Sequence, residues 1–243
     1  MIVQEALVIL MKFQNRDKLV MLQNGIMYMK PLQYYIDLEK KSLKKFVADE
    51  LEAKAKGVLI NLKIIDNESN EIFLESPIAQ TTLSLGYEKK PVFCMFSFDM
   101  RNCSKEIVHG DKLEYKMAFT EKQKEELKEF GDSVLVIKDK VEFVNRVKIA
   151  FEKRNILFER GPISYYEEDS TFHFTNVIKG VNHIAFSKRE EYFSLQQEYR
   201  FLADIKVQKE FILDIGNIED ITSLYLIEDF LENEYKAILT LTD

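Results

Sequence analysis

The hydrophobic positions of this chain change period several times, and each change marks an element. The apolar run from Ala6 to Phe13 is of strand length, and a short helix over Asn15 to Gln23 follows it. Asn15 suits the N-cap of that helix and Gly25 its C-terminal stop. Ile26 to Met29 predicts a second short strand. Pro31 suits the first turn of a helix carrying Leu32, Tyr35, Ile36 and Glu39. The charges of Lys41 to Lys54 predict its continuation as exposed helix.

Gly57 to Asp66 and Glu71 to Glu75 alternate around Asn67-Glu68-Ser69-Asn70, the pattern of a hairpin. Val92 to Phe98 is almost wholly apolar, as a strand buried on both faces would be. Thr120 to Phe130 reads as a helix capped by Thr120 and stopped at Gly131, and Ser133 to Ile137 as a strand. Asp139 to Arg154 predicts a helix with Val141, Val144, Val147, Ile149 and Phe151 facing inward. Ile163 to Tyr166 begins another strand before an acidic turn at Glu167-Glu168-Asp169.

The stretch from Phe186 to Ala203 concentrates the polar chemistry. Lys188, Tyr192 and Gln196 recur at i, i+4 and i+8, one stripe on a helix. The pattern then alternates, with Gln197, Tyr199 and Phe201 against Glu198, Arg200 and Leu202. A helix feeding a strand would set Glu198 and Arg200 on one face beside Lys188, Tyr192 and two amides. Further strands follow near Phe211 to Asp214, Ser223 to Ile227 and Tyr235 to Leu241. The class is α+β, a mostly antiparallel sheet with interspersed helices. With four Pro, eight Gly and no low-complexity tract, the expected organisation is a single domain over residues 1–243.

Composition narrows the function classes. The 243 residues are 46% hydrophobic and 31% charged, as in globular domains, and the net charge of −7 argues against a sequence-independent grip on DNA. Lys40 to Lys45 and Lys138 to Lys153 are locally cation-rich, which also suits a solvated helix face. Cys94 sits in an apolar run and is expected as a buried thiol; a bridge to Cys103 is the alternative. The first residues carry no basic flank, and Gln4 and Glu5 interrupt their apolar run, so no membrane segment is expected and the cytoplasm is the expected location.

His109, His173 and His183 have no metal-ligand spacing with each other or with the cysteines, so no metal site is expected. No glycine-rich phosphate loop and no nucleophile elbow occur. Ser97, Asp99 and Arg101 leave the most apolar strand, where polar side chains reach either a cleft or an ordinary loop. Tyr28, Tyr34 and Tyr35 surround Pro31 and suit either stacking on a ring or packing in a core. Lys188 and Tyr192 suit either an anionic ligand or a lysine stem lying along a tyrosine ring. Glu198 and Arg200 suit either a catalytic carboxylate with its neighbour or a structural ion pair.

Several segments in order resemble a bacterial family described as AbiGi-like and associated with abortive infection. They are Gly25-Ile-Met-Tyr-Met-Lys-Pro-Leu-Gln-Tyr-Tyr35, Val92-Phe-Cys-Met-Phe-Ser97, Phe130-Gly-Asp-Ser-Val-Leu-Val-Ile137, Gly161-Pro-Ile-Ser-Tyr165, and Lys188 and Tyr192 leading into Gln197-Glu198-Tyr199-Arg200. The resemblance implies a role in phage–host conflict and supplies no reaction. A fainter one is to ADP-ribosyltransferases, whose late strand carries a Gln/Glu-x-Glu motif that Gln196-Gln197-Glu198 fits. It implies NAD as substrate rather than as a resident cofactor, with Glu198 as the essential acid group, Gln196 orienting the acceptor, and one of Tyr28, Tyr34 and Tyr35 stacking on nicotinamide. Tyr28, Tyr34 and Ser97 are candidates for the middle position of that family's site; Lys188, Tyr192 and Arg200 complete the substrate-binding set. Such enzymes place a His or Arg on the first core strand, where this chain offers Lys12 and Gln14. The alternative is a non-catalytic protein that binds a partner protein or a nucleotide signal.

Overall fold

The computed structural model describes residues 8–41, 51–99, 105–109, 112–167 and 171–240. Its first half holds β1 (Val8–Gln14), α1 (Arg16–Gln23), β2 (Ile26–Pro31), α2 (Leu32–Lys41), β3 (Lys54–Ile65), β4 (Ile72–Ser84), β5 (Pro91–Asp99), β6 (Lys105–His109) and β7 (Lys112–Met117). Then come α3 (Glu121–Lys128), β8 (Ser133–Ile137), α4 (Lys140–Glu152), β9 (Phe158–Pro162), β10 (Ser164–Tyr166), α5 (Thr171–Ile178), β11 (Ser187–Arg189) and α6 (Glu190–Phe193). The chain finishes with β12 (Glu198–Ala203), β13 (Phe211–Asp214), β14 (Thr222–Leu226), α7 (Ile227–Glu232) and β15 (Tyr235–Thr240). This is an α+β fold, and among the described residues every strand pair except β10–β11 is antiparallel.

The chain clusters into two compact units: Met1–Pro31, Lys90–Pro162 and Leu195–Asp243 in the first, Leu32–Lys89 and Ile163–Ser194 in the second. In the first unit β5 lies at the centre of an eight-stranded sheet. It pairs with β12, which pairs onward with β9, and with β1, which pairs with β8 and then β14. The pair β13–β2 joins β5 at its start. The first unit also holds a second, three-stranded sheet in the order β15–β7–β6.

Strand period decides where the cores lie. Phe93 and Met95 pack with Leu10, Leu135, Phe201 and the α4 residues Phe143, Val147 and Phe151. Phe96 and Phe98 pack with Met11, Phe13, Phe119, Val134 and Phe230. Both faces of β5 are therefore covered, and that is why its sequence is a continuous apolar run.

Helix α4 departs from the expected inward set. Its buried residues are Phe143, Val147, Ala150 and Phe151, while Val141 is 78% and Ile149 40% exposed. The buried residues follow the i, i+4, i+7, i+8 spacing of one helical stripe, which Val141 and Ile149 do not share. Of the expected caps, Thr120 forms its side-chain bond and Asn15 does not, while Asp139, expected as the first helical residue, is itself a cap. Thr120 forms a capping box with Gln123, and Asp139 accepts the Glu142 N–H.

Of the expected helix over Lys41 to Lys54, residues 42–50 lie outside the described residues, Leu51–Ala53 form a buried turn, and β3 starts at Lys54. The hairpin reaches further than its alternation suggests, to Ser84. Glu168 and Asp169 of the acidic turn, like Arg101 and Cys103, lie outside the described residues.

Gly25 closes the turn between α1 and β2 at φ 94, and a Cβ placed there would stand 2.6 Å from the Gly216 backbone. Gly25→Ala therefore meets both a left-handed backbone and a steric clash. Urea denaturation of this variant should show a loss of about 2–4 kcal/mol.

Candidate functional site

Three strands pair with β5, so two must share one of its edges. Both β12 and β1 pair with Phe96, and both β12 and β2 pair with Val92. Hence β12 holds one edge alone, while β1 (opposite 96–99) and β2 (opposite 91–92) share the other. The ladders stop short of each other, and residues 93–95 fall in the interval between them. Helix α1 is the connection that carries the chain from β1 to β2.

Lys12, near the end of β1, reaches into this interval. Its ammonium donates to the Cys94 carbonyl at 2.6 Å and lies 4.9 Å from the centre of the Phe93 ring. A strand carbonyl without a neighbouring strand needs a donor, and the lysine supplies one. The residue as a whole is half-buried, but its charged end is enclosed, and desolvation pushes its pKa below 10.5. The neighbouring Cys94 and Glu198 side chains pull in the opposite direction more weakly.

On the β12 side, the Arg200 Nε and Nη2 both donate to the Glu198 Oε1 at 2.8 Å. Both residues are buried, at 1% and 4% exposure, so this is a same-strand pair inside the protein rather than a surface contact. The backbone just before it is unusual: Gln197 has φ 41, a left-handed conformation outside glycine. Its carbonyl is fixed by two donors from β5, the Ser97 N–H at 2.7 Å and the Ser97 Oγ–H at 2.6 Å. Ser97 thus holds the kink that carries Gln196 and Glu198.

These elements line an open recess of about 70 Å³, formed by Lys12, Phe13, Cys94, Met95, Phe96, Leu127, Phe130, Gln196 and Glu198. The volume is well below that of a pocket enclosing a whole ligand, so the recess is a shallow hollow in the wall. Its polar groups are an ammonium, a carboxylate and an amide; its aromatic walls are phenylalanines. Cys94 is half-buried rather than fully enclosed because it opens onto this recess.

Of the residues singled out in the sequence, Gln196 and Glu198 line the recess, and Ser97 and Arg200 hold its wall. Tyr28 is not among the lining residues: it is 41% exposed on β2, with the Lys30 ammonium 5.0 Å from its ring centre. Tyr34 and Tyr35 belong to α2 in the second unit, edge to face with ring centres 5.3 Å apart.

The stripe of Lys188, Tyr192 and Gln196 does not form, because the segment is β11, one turn of helix and a 3₁₀ turn at Ser194–Gln196. Ser187–Arg189 pairs with β10 instead, an extended backbone that ends helical periodicity. Lys188 is buried in the second unit, 3.7 Å from a Glu52 carboxylate oxygen and 4.9 Å from the Phe193 ring centre. The Tyr192 side chain lies outside the described residues.

The sequence pointed to Lys12 only as one of two residues, with Gln14, on the strand where an ADP-ribosyltransferase would carry His or Arg. The signal that marks it is a lone cation inside an apolar strand. Among the described residues no cluster of His, Cys, Asp or Glu could hold a metal, and no helix is long and apolar enough to cross a membrane. Comparisons with protein-family models, curated proteins and solved structures give no match for this chain.

Two measurements examine these contacts. Arg200→Ala strands the Glu198 carboxylate and should cost about 3–5 kcal/mol in chemical denaturation, whereas the double variant Glu198→Leu/Arg200→Met should restore most of the loss. The folded Lys12 pKa lies below its unfolded value, so the unfolded chain binds the proton more tightly and the penalty fades as pH rises toward 10.5. Wild type should therefore gain stability relative to Lys12→Met between pH 7 and 10, read from paired denaturation curves.

Proposed function

We propose that this chain is a phage–host conflict protein of abortive-infection type whose recess cleaves NAD or transfers its ADP-ribose. The observation that carries the reading is the convergence of Lys12, Gln196 and Glu198 on one half-enclosed hollow. In the reaction the bond between C1′ of the ribose and the nicotinamide nitrogen breaks, and nicotinamide leaves with the electron pair. Positive charge then spreads over C1′ and the ring oxygen, where an enclosed carboxylate gives its largest stabilisation. Glu198 supplies that carboxylate and accepts from the ribose hydroxyls. Gln196 orients the attacking oxygen, which bonds to C1′ and loses its proton. The Lys12 ammonium offsets the nearby carboxylate and offers a donor to a phosphate or carboxamide oxygen. Phe13, Phe96 and Phe130 provide the apolar wall that the tyrosines were expected to supply.

A second reading has its own support. Arg200 places two hydrogen bonds on the same Glu198 oxygen, as a carboxylate kept for architecture would have it. In this reading the recess binds a nucleotide signal or a partner group without turnover.

Incubation of the purified protein with NAD, followed by chromatography of nicotinamide, separates the two. Catalysis predicts release by wild type and a fall of at least about 10² in Glu198→Gln and about tenfold in Lys12→Met. Circular dichroism must show that both variants are folded. Saturable nucleotide binding by dialysis without any nicotinamide release would overturn the enzymatic reading and leave the binding one.

A further inference from the structure

A long uncharged side chain with an N–H would satisfy the Cys94 carbonyl without a cation to desolvate. A lysine on that spot adds what an amide lacks, a nitrogen that can lose its proton and attack. Among the described residues Lys12 makes one hydrogen bond, the 2.6 Å contact to the Cys94 carbonyl. The Phe93 ring borders the same nitrogen, its centre 4.9 Å away. The side chain also lines the open recess, whose wall of Phe13, Met95, Phe96, Leu127 and Phe130 is apolar. An ammonium in such surroundings gives up hydration, and burial pushes its pKa down from 10.5. More of the lysine is then the neutral amine at a given pH, the form that attacks carbonyl carbon.

We propose that Lys12 is an imine-forming lysine and that the recess takes a small uncharged aldehyde or ketone. Lys12 first gives a proton to the carboxylate of Glu198, which lines the same recess. One N–H stays on the Cys94 carbonyl while the nitrogen lone pair bonds to the carbonyl carbon of the ligand. The C=O pair moves to oxygen, and a proton passing from nitrogen to that oxygen gives the carbinolamine. Glu198 returns its proton to the hydroxyl, the C–O bond breaks and water leaves as the nitrogen pair forms C=N. The net change is ammonium plus carbonyl compound to iminium plus water, with nothing oxidised or reduced. The iminium nitrogen keeps one hydrogen, so the Cys94 carbonyl has its donor in both states.

The other lining groups set the class of ligand. The Gln196 amide offers an N–H to the carbonyl oxygen before it is expelled. The Glu198 carboxylate repels a keto acid, and the apolar wall favours a hydrocarbon substituent. The assignment is independent of NAD turnover, because imine formation needs no step of the ribosyl reaction.

Propanal with sodium cyanoborohydride reduces each imine to a propyl-lysine, and peptide mapping by mass spectrometry reads the labelling rate at every lysine of the full chain. At about pH 7 Lys12 should be labelled about tenfold or more faster than the median lysine. This advantage should shrink toward about pH 10, where exposed lysines also lose their protons. Lys12→Arg keeps a cation and a donor for the Cys94 carbonyl, so it should remove the fast phase of total incorporation while circular dichroism stays unchanged. Pyruvate in place of propanal should show no preference for Lys12; an equal preference overturns the assignment of an uncharged ligand. Labelling of Lys12 at the median rate in folded wild type overturns the proposal without recourse to any variant. So does a fast phase that persists in Lys12→Arg.

Discussion

One constraint organises the first unit: the central strand β5 has two edges and three partners. Because β1 and β2 divide one edge between them, a short length of β5 lies between two ladders, and its Cys94 carbonyl takes its hydrogen bond from a side chain. That side chain is Lys12, the one cation of β1. A hollow beside this interval is a consequence of the pairing, since sheet and cores occupy the surroundings on both faces. The recess and the depressed lysine pKa thus share one topological cause.

The opposite wall is built from β12 and depends on a different strain. Gln197 is held in a left-handed conformation by Ser97, whose N–H and hydroxyl both bind its carbonyl. A kink maintained in this way turns Gln196 and Glu198 toward the hollow while Arg200, two residues on, grips the carboxylate from within the core. The arrangement combines a function-like feature, an acid group in a recess, with an architectural one, a buried ion pair whose rupture is costly. Catalysis and binding differ in which of these dominates.

The pattern of the chain anticipated many elements well because they rest on local rules. The cap at Thr120, the continuous apolar run of β5 and the alternation of the β3–β4 hairpin are written in neighbouring residues. The segment around Lys188 failed for the opposite reason. Its i, i+4, i+8 spacing is compatible with a helix, yet backbone pairing with β10 and the turn at Gln197 outweigh a local preference that is small per residue. In α4 the same contrast appears at smaller scale: apolarity alone could not tell the buried Phe143 from the exposed Val141.

For the site itself, the sequence alone determined the proximity of Gln196, Glu198 and Arg200, because three positions within five residues on a turn and a strand cannot be far apart. It also determined the α+β class and the shortage of metal-ligand spacings. Only the tertiary structure decided that Lys12, more than 180 positions away, shares their recess, that Tyr28 does not line it, and that Lys188 is held by Glu52. The physical reason is that strand pairing joins residues by register and edge sharing, and neither leaves a trace in the periodicity of a single strand.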